Sequence, residues 1–126
     1  MNILIADDSL IIRNTLQRMI SPYTSGAEIY FAENVDEALI CLTQFQIDIL
    51  ILDIQMPGGS GFDVLKEAKK QKKNPCVIIL TNYATESYRK KAVKDGADYF
   101  FDKSTDYEEL IMLLNDKMMQ LKESKS

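Results

Sequence analysis

The stretch Ile47–Gly61, IDILILDIQMPGGSG, decides the fold, because a purely apolar strand stops there at one carboxylate, Asp53. Ile47, Ile49, Leu50, Ile51 and Leu52 form the near-continuous apolar run of a strand buried on both faces of a parallel sheet, and this strand is expected at the centre. Sites in open α/β sheets lie outside the carboxyl ends of the strands, so Asp53 is placed for chemistry. Met56-Pro57-Gly58-Gly59-Ser60-Gly61 cannot continue the strand.

Working outward, strand and helix patterns alternate. Asn2–Ala6 is apolar and ends at Asp7-Asp8-Ser9, after which Ile12, Leu16, Met19 and Ile20 recur at helical spacing as far as Pro22. Ala27–Ala32 reads as a strand, and Asn34 with Glu37 three residues on opens a helix carrying Val35, Ala38, Leu39 and Leu42 on one face. Beyond Asp53, Ser60 or Gly61 opens a helix with Phe62, Leu65 and Ala68 inward. It runs out into Lys69, Lys70, Lys72 and Lys73, read as a solvated helix end complementing the dipole rather than a nucleic-acid patch.

Cys76–Leu80 is a strand ending at Thr81, followed by a polar helix with Tyr88, Ala92 and Val93 that closes at Gly96. Tyr99–Phe101 is the last strand, ending at Asp102-Lys103. Thr105 with Glu108 spells a capping box, and Leu110, Ile111, Leu114, Met118 and Leu121 stripe the final helix. The pattern predicts an α/β fold of five βα units, a doubly wound, flavodoxin-like parallel sheet of order 2-1-3-4-5. Residues 1–121 form the domain and 122–126 a polar tail.

A chain of 126 residues suits one domain with a real core. With 46% hydrophobic residues, 27% charged and a net charge of −4, it has no general attraction to nucleic acid or anionic membrane. No apolar run approaches the ~20 residues of a membrane span, so the expected location is the cytoplasm. Cys41 and Cys76 are read as buried apolar side chains. The chain has no histidine, which excludes Ser-His-Asp triads and His-based zinc sites.

The topology brings Asp7, Asp8, Asp53, Thr81 and Lys103 to one rim of the sheet. Each alone has a structural explanation, as a cap, a strand residue or a surface charge. Together, three carboxylates repel, and a hard divalent cation such as Mg²⁺ relieves them. A carboxylate beside Mg²⁺, a lysine and a hydroxyl suits nucleophilic attack on a phosphoryl group, giving an aspartyl phosphate.

These residues, in this order and at these separations, resemble the receiver domain of two-component response regulators over essentially the whole chain. The matching elements are Asp7-Asp8-Ser9, Asp53 with Met56-Pro57-Gly58, Thr81 and Lys103. The resemblance implies that Asp53 accepts phosphate from a sensor histidine kinase or histidine phosphotransfer protein. It implies that Asp7, Asp8, Asp53 and the Gln55 backbone carbonyl hold Mg²⁺, with Mn²⁺ able to substitute, and that Thr81 and Lys103 contact the phosphoryl oxygens. Such a domain is a signalling switch, not an enzyme beyond its own phosphorylation and dephosphorylation. Thr81 and Phe100 would be the switch pair. The fourth helix, fifth strand and fifth helix, with Tyr99, Met112 and Met119, would engage a downstream protein or a second copy.

The chain departs from the family's commonest pattern at several points. Ser104, not proline, follows Lys103; Asn82 stands where a smaller residue is usual; Phe100 lacks the hydroxyl of the more familiar tyrosine. Gln55, Asn82 and Tyr83 flank the site and would set the lifetime of the phosphate. Two other readings compete. One is a receiver-like interaction module never phosphorylated. The other is a Mg²⁺-dependent phosphatase with an aspartate nucleophile, which wants a second aspartate where Gln55 stands.

Overall fold

The computed structural model describes residues 1–125, with side chains as far as Gln120. Five strands, β1 (Asn2–Ala6), β2 (Glu28–Ala32), β3 (Ile49–Leu52), β4 (Cys76–Thr81) and β5 (Tyr99–Asp102), alternate with five helices. The helices are α1 (Leu10–Ile20), α2 (Val35–Gln44), α3 (Gly61–Lys70), α4 (Glu86–Lys94) and α5 (Tyr107–Lys125). All pairings in the main sheet are parallel, in the order β2-β1-β3-β4-β5, so β3 is central. This is the flavodoxin-like arrangement expected from the alternating pattern.

Side-chain alternation along the strands divides the core into two layers. Leu4, Ala6, Leu50, Leu52, Val77 and Ile79 face α2, α3 and α4, meeting Ala38, Leu42, Phe62, Leu65 and Ala92. Ile3, Ile5, Ile49, Ile51, Ile78 and Leu80 face α1 and α5, meeting Leu16, Ile20, Leu110 and Leu114. Three helices thus cover one face and two the other. Every residue of β3 is buried, which explains its unbroken apolar sequence.

The helix starts follow from their caps. Ser9 accepts from the Ile12 N–H, Asn34 from the Glu37 N–H, and Ser60 forms a reciprocal capping box with Asp63. Gly96, at φ +100°, follows the C-cap of α4, as its position in the sequence suggested.

The central strand ends at Leu52, as expected, and beyond it Gln55–Met56 and Gly59–Ser60 pair separately as a short antiparallel hairpin turned at Pro57-Gly58. Three expectations need correction. Val93 is 67% exposed, because the narrow contact face of α4 buries only Ala92 fully. Thr105 does not cap α5. The helix begins two residues later, and Asp106 turns its carboxylate back to the Asp102 N–H. Residues 122–125, expected as a tail, continue the backbone of α5. The Leu121 side chain and Ser126 lie outside the described residues.

Candidate functional site

Strand register assembles the site. Ala6 pairs with Leu52, so Asp7 and Asp53 each emerge one residue beyond the last paired position of adjacent strands. The Asp53 N–H donates to the Ala6 carbonyl at 2.9 Å and the Asp7 N–H to the Ala32 carbonyl at 3.0 Å. On the other side Thr81 pairs with Asp102, and the Lys103 N–H donates to the Thr81 carbonyl at 3.0 Å. The carboxyl ends of β1, β3, β4 and β5 therefore present Asp7, Asp53, Thr81 and Lys103 on one rim.

Lys103 Nζ lies 2.5 Å from Asp7 Oδ2 and 2.8 Å from Asp53 Oδ2, and all three residues are buried. Asp8 is exposed. One carboxylate oxygen from each of Asp7, Asp8 and Asp53 lies within 4.8 Å of the other two. An all-oxygen, triply acidic donor set of that spread fits a hard divalent cation such as Mg²⁺.

Burial pushes the Asp7 carboxyl above its ordinary value, against the opposing pull of Lys103 and the Ser9 N–H. For Lys103, burial disfavours the ammonium, but hydrogen bonds and charge from Asp53 and Asp7 outweigh it and raise its pKa. The cluster thus holds one cation among three carboxylates, with room electrostatically for another.

A cleft of about 280 Å³ opens over this cluster, lined by Asp7, Asp8, Ser9, Ile12, Asp53, Gln55, Asn82, Tyr83 and Lys103. Gln55 donates its N–H toward Asp53 Oδ1 at 3.4 Å, and Tyr83, 48% exposed, stands at the rim. Thr81 and Phe100 do not line the cleft. The Thr81 hydroxyl is fully buried and accepts from the Tyr83 N–H at 3.1 Å. The Phe100 ring is buried under the Arg89 guanidinium, 4.6 Å from the ring centroid.

The loop after Lys103 is held without proline. The Lys103–Ser104 peptide is trans, and the Ser104 N–H and hydroxyl donate to Asp102 Oδ1 at 2.8 and 2.6 Å. Gly61 is required by close approach, since a Cβ there would stand 2.2 Å from the Asp53 carbonyl oxygen. Two features were not singled out in the sequence. Leu10 and Ile11, at the start of α1, are 61% and 77% exposed, and Arg13 donates from Nη1 to the Asp7 carbonyl at 2.7 Å. The signal for the first was two large apolar residues placed directly after the cap, off the inward stripe.

Fold, rim and acidic cluster together define a receiver. The family model described as "Response regulator receiver domain" matches residues 3–115, and the chain belongs to that family, the receivers of two-component systems. It is 32% identical, over its full length, to the sensory transduction protein LytR of Staphylococcus epidermidis, covering 49% of that protein. The chain spans about half the length of the curated relatives it matches. Among solved structures it resembles the response regulator TrrA of Thermotoga maritima in complex with Mg²⁺-BeF. That match has 38% identity, a TM-score of 0.78 and coverage of 93% of this chain and 97% of that one. A Burkholderia pseudomallei response regulator with a phosphorylated aspartic acid, calcium and citrate is 25% identical, with a TM-score of 0.78, covering 99% of this chain and 72% of that one. Among the described residues, no helix is long and apolar enough to cross a membrane.

Proposed function

We propose that Asp53 is a phosphoacceptor, charged from a phosphohistidine on a sensor histidine kinase or histidine phosphotransfer protein, with Mg²⁺ held by Asp7, Asp8, Asp53 and the Gln55 carbonyl. The observation that carries this is the convergence of three carboxylates within 4.8 Å around a buried lysine. TrrA, solved with Mg²⁺-BeF, and the relative with a phosphorylated aspartic acid support it.

In the transfer, an Asp53 carboxylate oxygen attacks phosphorus, the P–O bond forms as the P–N bond to the imidazole breaks, and the imidazole leaves with the electron pair. Bound Mg²⁺ supplies positive charge to the phosphoryl oxygens. Lys103 supplies a second cation already positioned, and the Thr81 hydroxyl, buried beneath the cleft, would supply a neutral donor once it turns toward the phosphoryl group. The exposed Leu10 and Ile11 offer the donor protein an apolar foothold beside the cleft.

A phosphoryl group of about −1.5 to −2 charge then biases the Thr81 and Phe100 packing. The face read by a partner is α4–β5–α5. Its α4 carries exposed Arg89, Lys90, Lys91 and Lys94, while α5 carries exposed Glu108, Glu109 and Asp116, with Tyr99, Met112 and Met119 exposed nearby. Opposite charges on neighbouring helices suit a two-fold contact between copies, α4 of one against α5 of the other.

This reading makes the domain a switch that catalyses only its own phosphorylation and hydrolysis. Incubation with acetyl phosphate and with p-nitrophenyl phosphate separates it from a phosphatase. A switch retains about one phosphoryl group per chain from the first and does not turn over the second; sustained release of p-nitrophenol would contradict it.

A further inference from the structure

We infer that Arg13 is a positioning residue for the acidic pair Asp7-Asp8, holding the turn between β1 and α1 in the shape that aims both carboxylates at Asp53. This rests on the reading that those carboxylates bind Mg²⁺. Arg13 lies on the first turn of α1 with its side chain only 11% exposed. Its guanidinium does not address the carboxylates. Nη1 donates to the Asp7 backbone carbonyl at 2.7 Å, and Nη2 lies 3.7 Å from Glu33 Oε2 beyond β2.

The same residue's N–H donates to the Ser9 carbonyl at 3.0 Å. The side chain of Arg13 therefore ties residue 7 to α1, while the first intrahelical bond, made by its backbone, holds residue 9. Asp7 is further fixed by its N–H on the Ala32 carbonyl and by the Ser9 N–H on its Oδ1. Asp8 sits between these two held residues and is exposed. A partly buried guanidinium bonded to a carbonyl also gives that carbonyl a charge-assisted partner. Groups that orient metal ligands in this way typically cost 10–100-fold in metal affinity when lost.

The test is a Mg²⁺ titration of the full chain, followed through the backbone amide resonances of Asp8, Gln55 and Tyr83. The wild type is compared with Arg13→Ala, Arg13→Lys and Val77→Ala, the last lying at the opposite end of β4. Arg13→Ala is expected to weaken Mg²⁺ binding about tenfold. Arg13→Lys, which keeps one donor in reach, should restore most of it. Val77→Ala should lower Tm without moving the affinity. Should Arg13→Ala fail to fold, Arg13→Met, which keeps the aliphatic stem and has no donor, carries the same expectation. Wild-type affinity in the Ala or Met variant overturns the inference, as does a loss no greater than that in Val77→Ala. A flat wild-type titration instead overturns the metal reading itself, and the inference with it.

Discussion

Lys103 Nζ stands closer to Asp7 than to Asp53, at 2.5 Å against 2.8 Å, so the lysine bridges a proposed metal ligand and the proposed phosphoacceptor. Its ammonium and an incoming cation therefore share the same carboxylates. Lys103→Gln removes the cation that touches both. Without metal the variant should lose on the order of 3 kcal/mol, since two buried carboxylates are left uncompensated. Its Mg²⁺ affinity should rise several-fold, read by calorimetry, while phosphorylation slows for want of charge on the phosphoryl oxygens.

The pH dependence follows from the same pair. Burial raises the Asp7 carboxyl above its ordinary 3.8, so the folded state binds more protons just above that value. Stability from this group is present below 3.8 and lost as pH rises through the folded pKa. Lys103 is raised above 10.5 despite burial, chiefly by its hydrogen bonds to Asp53 and Asp7, so its contribution is full below 10.5 and lost as pH rises through the folded value. Asp7→Asn should raise Tm by a few degrees at neutral pH without metal, and flatten the fall in stability that begins as pH rises above 3.8. It should also abolish stabilisation by Mg²⁺. Thermal melts across pH, with and without Mg²⁺, check this.

Gly61 permits the loop that carries Asp53. Its N–H donates to the Ile54 carbonyl at 2.6 Å, and an added Cβ would overlap the Asp53 carbonyl, which is backbone and cannot step aside. Gly61→Ala should cost up to about 3 kcal/mol and slow phosphorylation of whatever remains folded. Tm and the rate of acetyl phosphate uptake measure the two effects.

Tyr83 and Asn82 line the cleft over Asp53, and under the proposed phosphorylation their bulk would shield the acyl phosphate from water. Tyr83→Ala is expected to shorten the phosphate's half-life several-fold without changing Tm by more than a degree or two, because Tyr83 is half exposed. Phosphate release after removal of the donor reads it directly; an unchanged half-life would assign the lifetime to Gln55 instead.

Much of this was legible in the chain because its signals were redundant. The all-apolar run before Asp53 required burial on both sheet faces, and Asp7, Asp8, Thr81 and Lys103 fell at the ends of the neighbouring strands. What escaped depended on contacts that periodicity does not carry. Val93 fits a helical stripe, yet α4 turns it outward; Thr105 and Glu108 have capping-box spacing, yet Asp106 competes by bonding back to Asp102. Arg13 reads as an ordinary helix charge until the turn before α1 brings the Asp7 carbonyl beneath it.

The most direct measurement of the central claim is the intact mass of the chain after acetyl phosphate treatment, with and without Mg²⁺, beside Asp53→Asn. The account predicts one added phosphoryl group in the wild type with Mg²⁺, none without it, and none in the variant. Equal labelling of Asp53→Asn, or no labelling of the wild type by acetyl phosphate or a charged histidine kinase, would contradict it.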